Sequence, residues 1–380
     1  MLKVVMFKRQ ICALLLVSFG SAATCDWPAW QQFKHDYVSD GGRVIDPSSP
    51  RKVTTSEGQS YGLFFALVAN DRETFDQLLS WTENNLAAGD LTARLPVWLW
   101  GQRKDNNWDV LDPNSASDAD LWIAYSLLEA GRLWDSRRYQ TMGTLLLQRI
   151  AQEEVVNIPG LGEMLLPGKI GFNDDDRWRL NPSYLPPQLL ARFASLAGPW
   201  KAMVKVNQRL LLETAPYGFS PDWVVWQEGK GWQPDETRPD VGSYDAIRSY
   251  LWVGMLSNNS PEKTILIQRF QPMAAVTQQR GVPPENTDTS NGKTSGKGSE
   301  GFSAALLPFL ASSPEPYNQQ TLSVQQQRVQ DSPPPADAYY SAVLTLFGQG
   351  WAQHRYSFNR QGELQPSWNS QCATLKYTGS

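Results

Sequence analysis

Three carboxylates in this chain of 380 residues stand among neighbours that suit acid–base chemistry. Glu57 lies in Thr54-Thr55-Ser56-Glu57-Gly58-Gln59-Ser60-Tyr61-Gly62. Asp118 lies in Ala116-Ser117-Asp118-Ala119-Asp120-Leu121-Trp122, and Asp245 in Gly242-Ser243-Tyr244-Asp245-Ala246-Ile247-Arg248. Each opens a stretch whose apolar residues recur at helical spacing. Thr54 with Glu57, and Ser117 with Asp120, fit a capping box, in which the acid serves the helix end alone. Against that, Gly58 and Gly62 are costly inside a helix, and glycines beside an acid suggest a close approach to the backbone. Asp118 and Trp122 are four apart and share a face; Asp245 and Arg248 are three apart and can pair. A carboxylate held beside a cation stays ionised, as a general base requires. The structural and the chemical readings of these acids both stand at this point.

Composition leaves carboxylates as the main resource. The chain has two histidines and three cysteines. No Cys/His metal constellation is available, and no glycine-rich phosphate loop follows a strand. No metal or cofactor is therefore expected. Residues 1–23 carry Lys3, Lys8 and Arg9, then an apolar run from Ile11 to Phe19, then Gly20-Ser21-Ala22-Ala23. That order reads as a secretory signal peptide, which places the protein in the periplasm or outside the cell. Without those three basic residues the balance is 31 basic to 38 acidic, a net −7, which argues against nucleic acid or an anionic membrane as partner. Cys25 and Cys372, at the two ends of the remaining chain, are an expected disulfide in an oxidising compartment. Sixteen tryptophans is high for this length, and several lie beside polar or turn residues: Trp98, Trp100, Trp108, Trp178, Trp223, Trp226 and Trp232. Indoles so placed suit sugar rings, which have apolar faces and hydroxyl edges. Others, including Trp81 and Trp252, read as core.

The elements that must position these residues are helices. Apolar periodicity predicts twelve: 27–37, 57–70, 72–86, 118–133, 136–153, 184–196, 200–214, 244–256, 263–279, 301–310, 319–329 and 336–347. Strand signals are confined to hairpins at 155–166 and 355–364. Residues 283–300 read as a mobile loop. The long Trp/Gly/Pro-rich connections at 87–117, 155–183 and 215–243 are where function is expected. Residues 24–380 form one domain, either an all-α toroid of six helical hairpins or an irregular helical array. Glu57 opens the second helix, Asn181-Pro182-Ser183-Tyr184 the sixth, Asp118 the fourth and Asp245 the eighth. In an alternating toroid these even-numbered helices share one ring, and their N-termini line one mouth.

At these residues the sequence resembles glycoside hydrolase family 8. The likeness is carried by Ala116–Trp134, Thr54–Gly62, Asn181–Tyr184 and Ser243–Arg248, and runs from about Trp27 to Trp351. The resemblance implies an (α/α)6 barrel with small β-hairpin insertions and an inverting endo-1,4-β-glucanase acting on cellulose, a member of cellulose synthesis and export machinery. It implies Glu57 as proton donor, Asp245 as base and Asp118 as the residue holding a distorted sugar. Tyr184 and Arg248 would support the water and the base, and Trp100, Trp108, Trp122 and Tyr244 would contact the glucan. An inverting pair stands roughly 6.5–9.5 Å apart. Glu57 is expected in an apolar setting that favours its proton. The alternatives are a glucan-binding assembly protein without activity, and a xylanase or chitosanase on the same toroid.

Overall fold

The computed structural model describes residues 26–314 and 319–369. The signal segment, Cys25 and Cys372 lie outside the described residues. The helices are α1 (Pro28–Tyr37), α2 (Ser56–Val68), α3 (Arg72–Leu86), α4 (Ser117–Leu133), α5 (Arg137–Glu153), α6 (Pro187–Phe193), α7 (Trp200–Glu213), α8 (Ile247–Met255), α9 (Lys263–Arg269), α10 (Gln271–Arg280), α11 (Glu300–Ser312), α12 (Gln319–Asp331) and α13 (Tyr339–Ala352). They alternate between two rings. The inner ring runs α2, α4, α6, α8, α11, α13, each packed on the next. Tyr61, Phe64 and Phe65 of α2 meet Phe347 of α13 and close the circle. The remaining helices stand outside, so the fold is the expected (α/α)6 toroid. A helix buried on every side must be apolar all round. From Gly58 to Val68 every residue of α2 is buried, and α8 is buried throughout.

The toroid's middle is filled with aromatic rings. Trp122 of α4 lies 4.9 Å from Phe64, 5.3 Å from Trp252 and 5.5 Å from Phe347. Buried rings of this size contribute about 1.5–3 kcal/mol each. Such packing brings inner helices close enough to exclude side chains. A Cβ on Gly348 of α13 would lie 1.8 Å from the Ala304 carbonyl oxygen of α11. That contact accounts for glycine at 348 within a helix, and α13 runs on through it to Ala352, past the end predicted at Phe347.

Two further boundaries shift for local reasons. The predicted helix 263–279 breaks at Phe270, because Pro272 enters the first turn of α10 with no N–H to donate. The sixth helix begins at Pro187, after Pro186, instead of at Tyr184, since a residue before proline avoids the helical region.

Both predicted hairpins are present: β4 (Val155–Ile158) with β5 (Gly162–Leu165), and β13 (Tyr356–Phe358) with β14 (Leu364–Pro366). Three small sheets without a sequence signal join them. One is β1 (Thr54–Thr55), β2 (Leu99–Gln102) and β3 (Trp108–Asp112). Another is β6 (Asn173–Asp174), β7 (Arg177–Leu180), β8 (Val224–Gln227) and β9 (Gly231–Pro234). The third is β10 (Val241–Gly242), β11 (Asn286–Asp288) and β12 (Thr294–Ser295). The stretch 283–300 is thus a hairpin and not the loose loop its composition suggests. The Asp288 carboxylate turns it by accepting from Ser290 and Asn291.

The β13–β14 hairpin seals the C-terminal ends of the inner helices. Tyr125 Oη donates to the Gly362 carbonyl (2.8 Å), and Trp368 Nε1 to that of Leu67 (3.0 Å). The N-terminal ends of the ring form the other mouth.

Candidate active site

The carboxylates gather at that mouth around one guanidinium. Arg248, the second residue of α8 and with a side chain only 4% exposed, donates through Nη1 to Glu57 Oε2. Its Nη2 donates to Asp245 Oδ1 (2.9 Å) and to Ser183 Oγ (3.2 Å). Asp118 Oδ2 is 3.7 Å from Nη1. Tyr184 lies with its ring 5.7 Å from the guanidinium carbon.

Local structure frees each acid from a purely structural task. Thr55, not Thr54, caps α2: its Oγ1 accepts from Gly58 N at 3.0 Å. Glu57 therefore falls one position earlier than a capping box needs, and its carboxylate goes to Arg248. Gly58 is small because Tyr339 Oη would sit 2.7 Å from a Cβ there, so the close approach signalled by glycine is the protein's own α13. Ala116 takes the cap position of α4, which leaves Asp118 in the first turn. Asp245 sits in the turn before α8; its Oδ2 accepts from Trp223 Nε1 at 3.1 Å.

Burial differs sharply among the three. The Asp118 side chain is 4% exposed, whereas those of Glu57 and Asp245 are 23% and 25% exposed. Burial, and then the nearby Glu57 charge, push the Asp118 carboxyl up to about 7. One cation cannot neutralise three carboxylates, so near neutral pH the cluster readily holds a proton. Among the described residues no group of His, Cys, Asp and Glu is arranged to hold a metal ion.

Aromatic rings flank the cluster. Trp100 and Trp108 stack 5.5 Å apart with Arg43 over both, and Trp100 pairs in register with Thr54, just before α2. Trp223 stacks on Phe172 at 6.0 Å and meets the Tyr184 ring at 5.6 Å. Tyr244 is 48% exposed beside Phe302 and Tyr340.

This arrangement of an acidic mouth with exposed rings on an (α/α)6 toroid agrees with the family comparison: the model for "Glycosyl hydrolases family 8" matches residues 4–354. The chain belongs to glycosyl hydrolase family 8. It is a glycoside hydrolase. An endoglucanase of Escherichia coli O157:H7 is 58% identical over 363 residues, covering 96% of this chain and 97% of that protein. An endoglucanase of Xanthomonas axonopodis pv. citri is 48% identical, covering 90% of each. The crystal structure of an endo-1,4-D-glucanase from Vibrio fischeri ES114 superposes with a TM-score of 0.87 at 48% identity, covering 90% of this chain and 99% of that one.

Within this family 8 hydrolase, two expectations change. Trp122 is not at the mouth: it is fully buried, one turn below Asp118, and its indole is part of the aromatic plug. Glycans cannot reach it. Glu57 is not in an apolar setting either, because Arg248 binds it as well as Asp245. Three roles went unread in the sequence, although Trp223 and Ser183 were themselves noted there. Ser183 and Trp223 bind the Arg248–Asp245 pair, and Arg43 stacks on the Trp100–Trp108 platform. Trp223 carried a signal, as a tryptophan in a polar loop; Arg43 carried none.

Proposed function

We propose that this family 8 hydrolase cuts internal β-1,4 bonds of cellulose by a single inverting displacement, with Glu57 as proton donor and Asp245 as base. The endo-1,4-β-glucanase activity itself follows from the endoglucanase relatives, of which those from Escherichia coli and Salmonella typhi are 57–58% identical over 96% of the chain. The observation that carries the assignment of roles is the division of Arg248. Its two Nη atoms hold Glu57 and Asp245 separately, so the two carboxylates face the site as distinct groups. Asp245 accepts from Arg248 and from a second donor, Trp223, which aim its carboxylate to take a proton from water. Glu57, on the rigid first turn of α2, would deliver its proton to the leaving oxygen once the sugar displaces Arg248 from it. Asp118, buried and inclined to hold a proton, would hydrogen-bond the sugar between them. Trp100, Trp108, Tyr184 and Tyr244 would carry neighbouring glucose units.

Residues 1–23 support export to the periplasm or beyond, and the substrate supports work alongside a cellulose synthase or export complex. Among the described residues no helix is long and apolar enough to cross a membrane. The test is Glu57→Gln with carboxymethyl cellulose. Reducing-sugar release should disappear while glucan binding remains; full activity in the variant would refute the role. Proton NMR of the first products should show the α-anomer.

A further inference from the structure

Asp245 lacks what holds the other two acids, because it precedes its helix. Glu57 and Asp118 are fixed by the backbones of α2 and α4. Asp245 stands in a turn between β10 and α8. Something else must define its position.

The segment 220–223 does this. Asp222 is fully buried, and its Oδ1 accepts from Ser243 N (2.7 Å) and from Ala246 N (2.8 Å). Those amides lie on either side of Asp245 in the chain. The next residue, Trp223, donates Nε1 to the Asp245 carboxylate. The peptide of Asp222 is itself pinned, since its N donates to the Val241 carbonyl at 2.7 Å. The fit leaves no slack: a Cβ on Gly242 would lie 2.2 Å from the Ser220 carbonyl oxygen. Asp222 Oδ2 pairs with Arg238 Nη2 at 3.0 Å. Asp235 accepts from the Arg238 amide and pairs with Arg179, whose guanidinium carbon is 3.9 Å from the Trp223 ring centre.

We infer that Asp222 is the positioning residue of the base: it grips the backbone on both flanks of Asp245 while its chain neighbour Trp223 grips the carboxylate. Asp222 does not touch the reacting groups. It sets where the Asp245 oxygens point and therefore which water they can activate. An Asp is suited because one oxygen can take two amides while the other binds Arg238. The inference rests on the reading of Asp245 as base.

Asp222 also adds a negative charge beside that base. Burial, and then the charge of Asp245, raise the Asp222 carboxyl above its ordinary value. The same repulsion acts on Asp245, which is faced as well by Arg248, Glu57 and Asp118 from the ring helices, by Tyr184 before α6 and by Tyr340 of α13.

The test compares Asp222→Ala, Asp222→Asn and Asp245→Asn in the full chain, with kcat, KM and pH profiles on a defined cello-oligosaccharide. Asp222→Ala removes both amide acceptors, and kcat should fall on the order of tenfold to a hundredfold with KM changed less than about threefold, as expected for a misplaced reacting group. Asp222→Asn keeps an oxygen for the amides and removes the charge. It should recover most of kcat, and the acid limb of kcat/KM should move to lower pH. Circular dichroism checks that each variant is folded; if Asp222→Ala is not, the Asn variant carries the test by its acid limb. An inactive Asp245→Asn together with wild-type kcat in Asp222→Ala, or an unmoved acid limb in Asp222→Asn, overturns the positioning role alone. Substantial activity in Asp245→Asn overturns the base assignment and this inference with it.

Discussion

Glu129 offers a direct measure of what closes the far end of the toroid. It lies on α4 eleven residues beyond Asp118, so about 16 Å down the helix from the carboxylate cluster. Its side chain is fully buried. Oε1 accepts from Arg192 Nε at 2.7 Å; Oε2 accepts from Arg132 Nε at 3.0 Å and from the Leu364 amide at 2.8 Å. Arg132 also donates to the Leu364 carbonyl at 2.6 Å, so one carboxylate ties two helices to the β13–β14 hairpin. Glu129→Ala strands Arg192, whose side chain is 11% exposed, and leaves the Leu364 N–H without its acceptor. Breaking a buried pair costs about 3–5 kcal/mol and an orphaned buried amide about 1–3 kcal/mol. Arg132 is a third exposed and regains water, so the loss should be on the order of 4–6 kcal/mol, or a Tm lower by about 5–10 °C. Thermal unfolding followed by circular dichroism reads this. At 25 °C kcat should stay within twofold of the parent, since the chemistry is at the opposite mouth. A Tm within 2 °C of the parent, or a kcat that collapses in a still-folded variant, would refute the separation of the sealed end from the working end.

Three other expectations follow from the geometry. Trp122→Ala empties the centre of the aromatic plug and should cost about 3–5 kcal/mol of stability in urea unfolding; a loss confined to glucan affinity would instead return Trp122 to the substrate surface. Trp108, 45% exposed on the Trp100 stack, should act the other way: Trp108→Ala should raise KM on long cello-oligosaccharides several-fold with kcat and Tm little changed. Burial pushes the Glu154 carboxyl from 4.5 up to about 8, in a site shared with Asp120. With the folded value above the unfolded one, this contribution to stability is complete below about pH 4.5 and is lost as pH rises to 8, up to tenfold in the folding equilibrium per pH unit. Glu154→Gln removes that slope, so its Tm should gain on the parent steadily from pH 5 to pH 8. Parallel Tm curves across that window would rule the buried proton out.

The alternation of the helices was legible in the sequence because acids, or the polar-aromatic Asn181–Tyr184, opened every second one; the choice of a toroid over an irregular array came with the family resemblance. Glu57, Asp118, Asn181–Tyr184 and Asp245 marked every second helix, and the structure keeps that alternation. Their depth was not legible. Trp122 shares a face with Asp118, yet one turn along a fully buried helix leads from the mouth into the plug. Periodicity reports which face a residue takes and not how far down the barrel it lies. Long-range partners were equally hidden: Arg248 reaches Glu57 across 191 positions, and nothing in either neighbourhood announces it. The short strands escaped because pairs such as Thr54–Thr55 and Val241–Gly242 are too brief to show alternation.

The toroid divides its labour between regular and irregular backbone. Helix N-termini are electropositive and favour anions, which explains why acids can collect at one mouth at all. That field does not distinguish acid from base. What differs is what each carboxylate adds to it: a first-turn position on α2 for Glu57, near-complete burial for Asp118, and two side-chain donors, Arg248 and Trp223, for Asp245. Only the last depends on residues outside the inner ring. The Asp245 side of the site should therefore be the part most sensitive to substitutions in the connecting loops, and the Glu57 side the part most sensitive to the packing of α2 against α13.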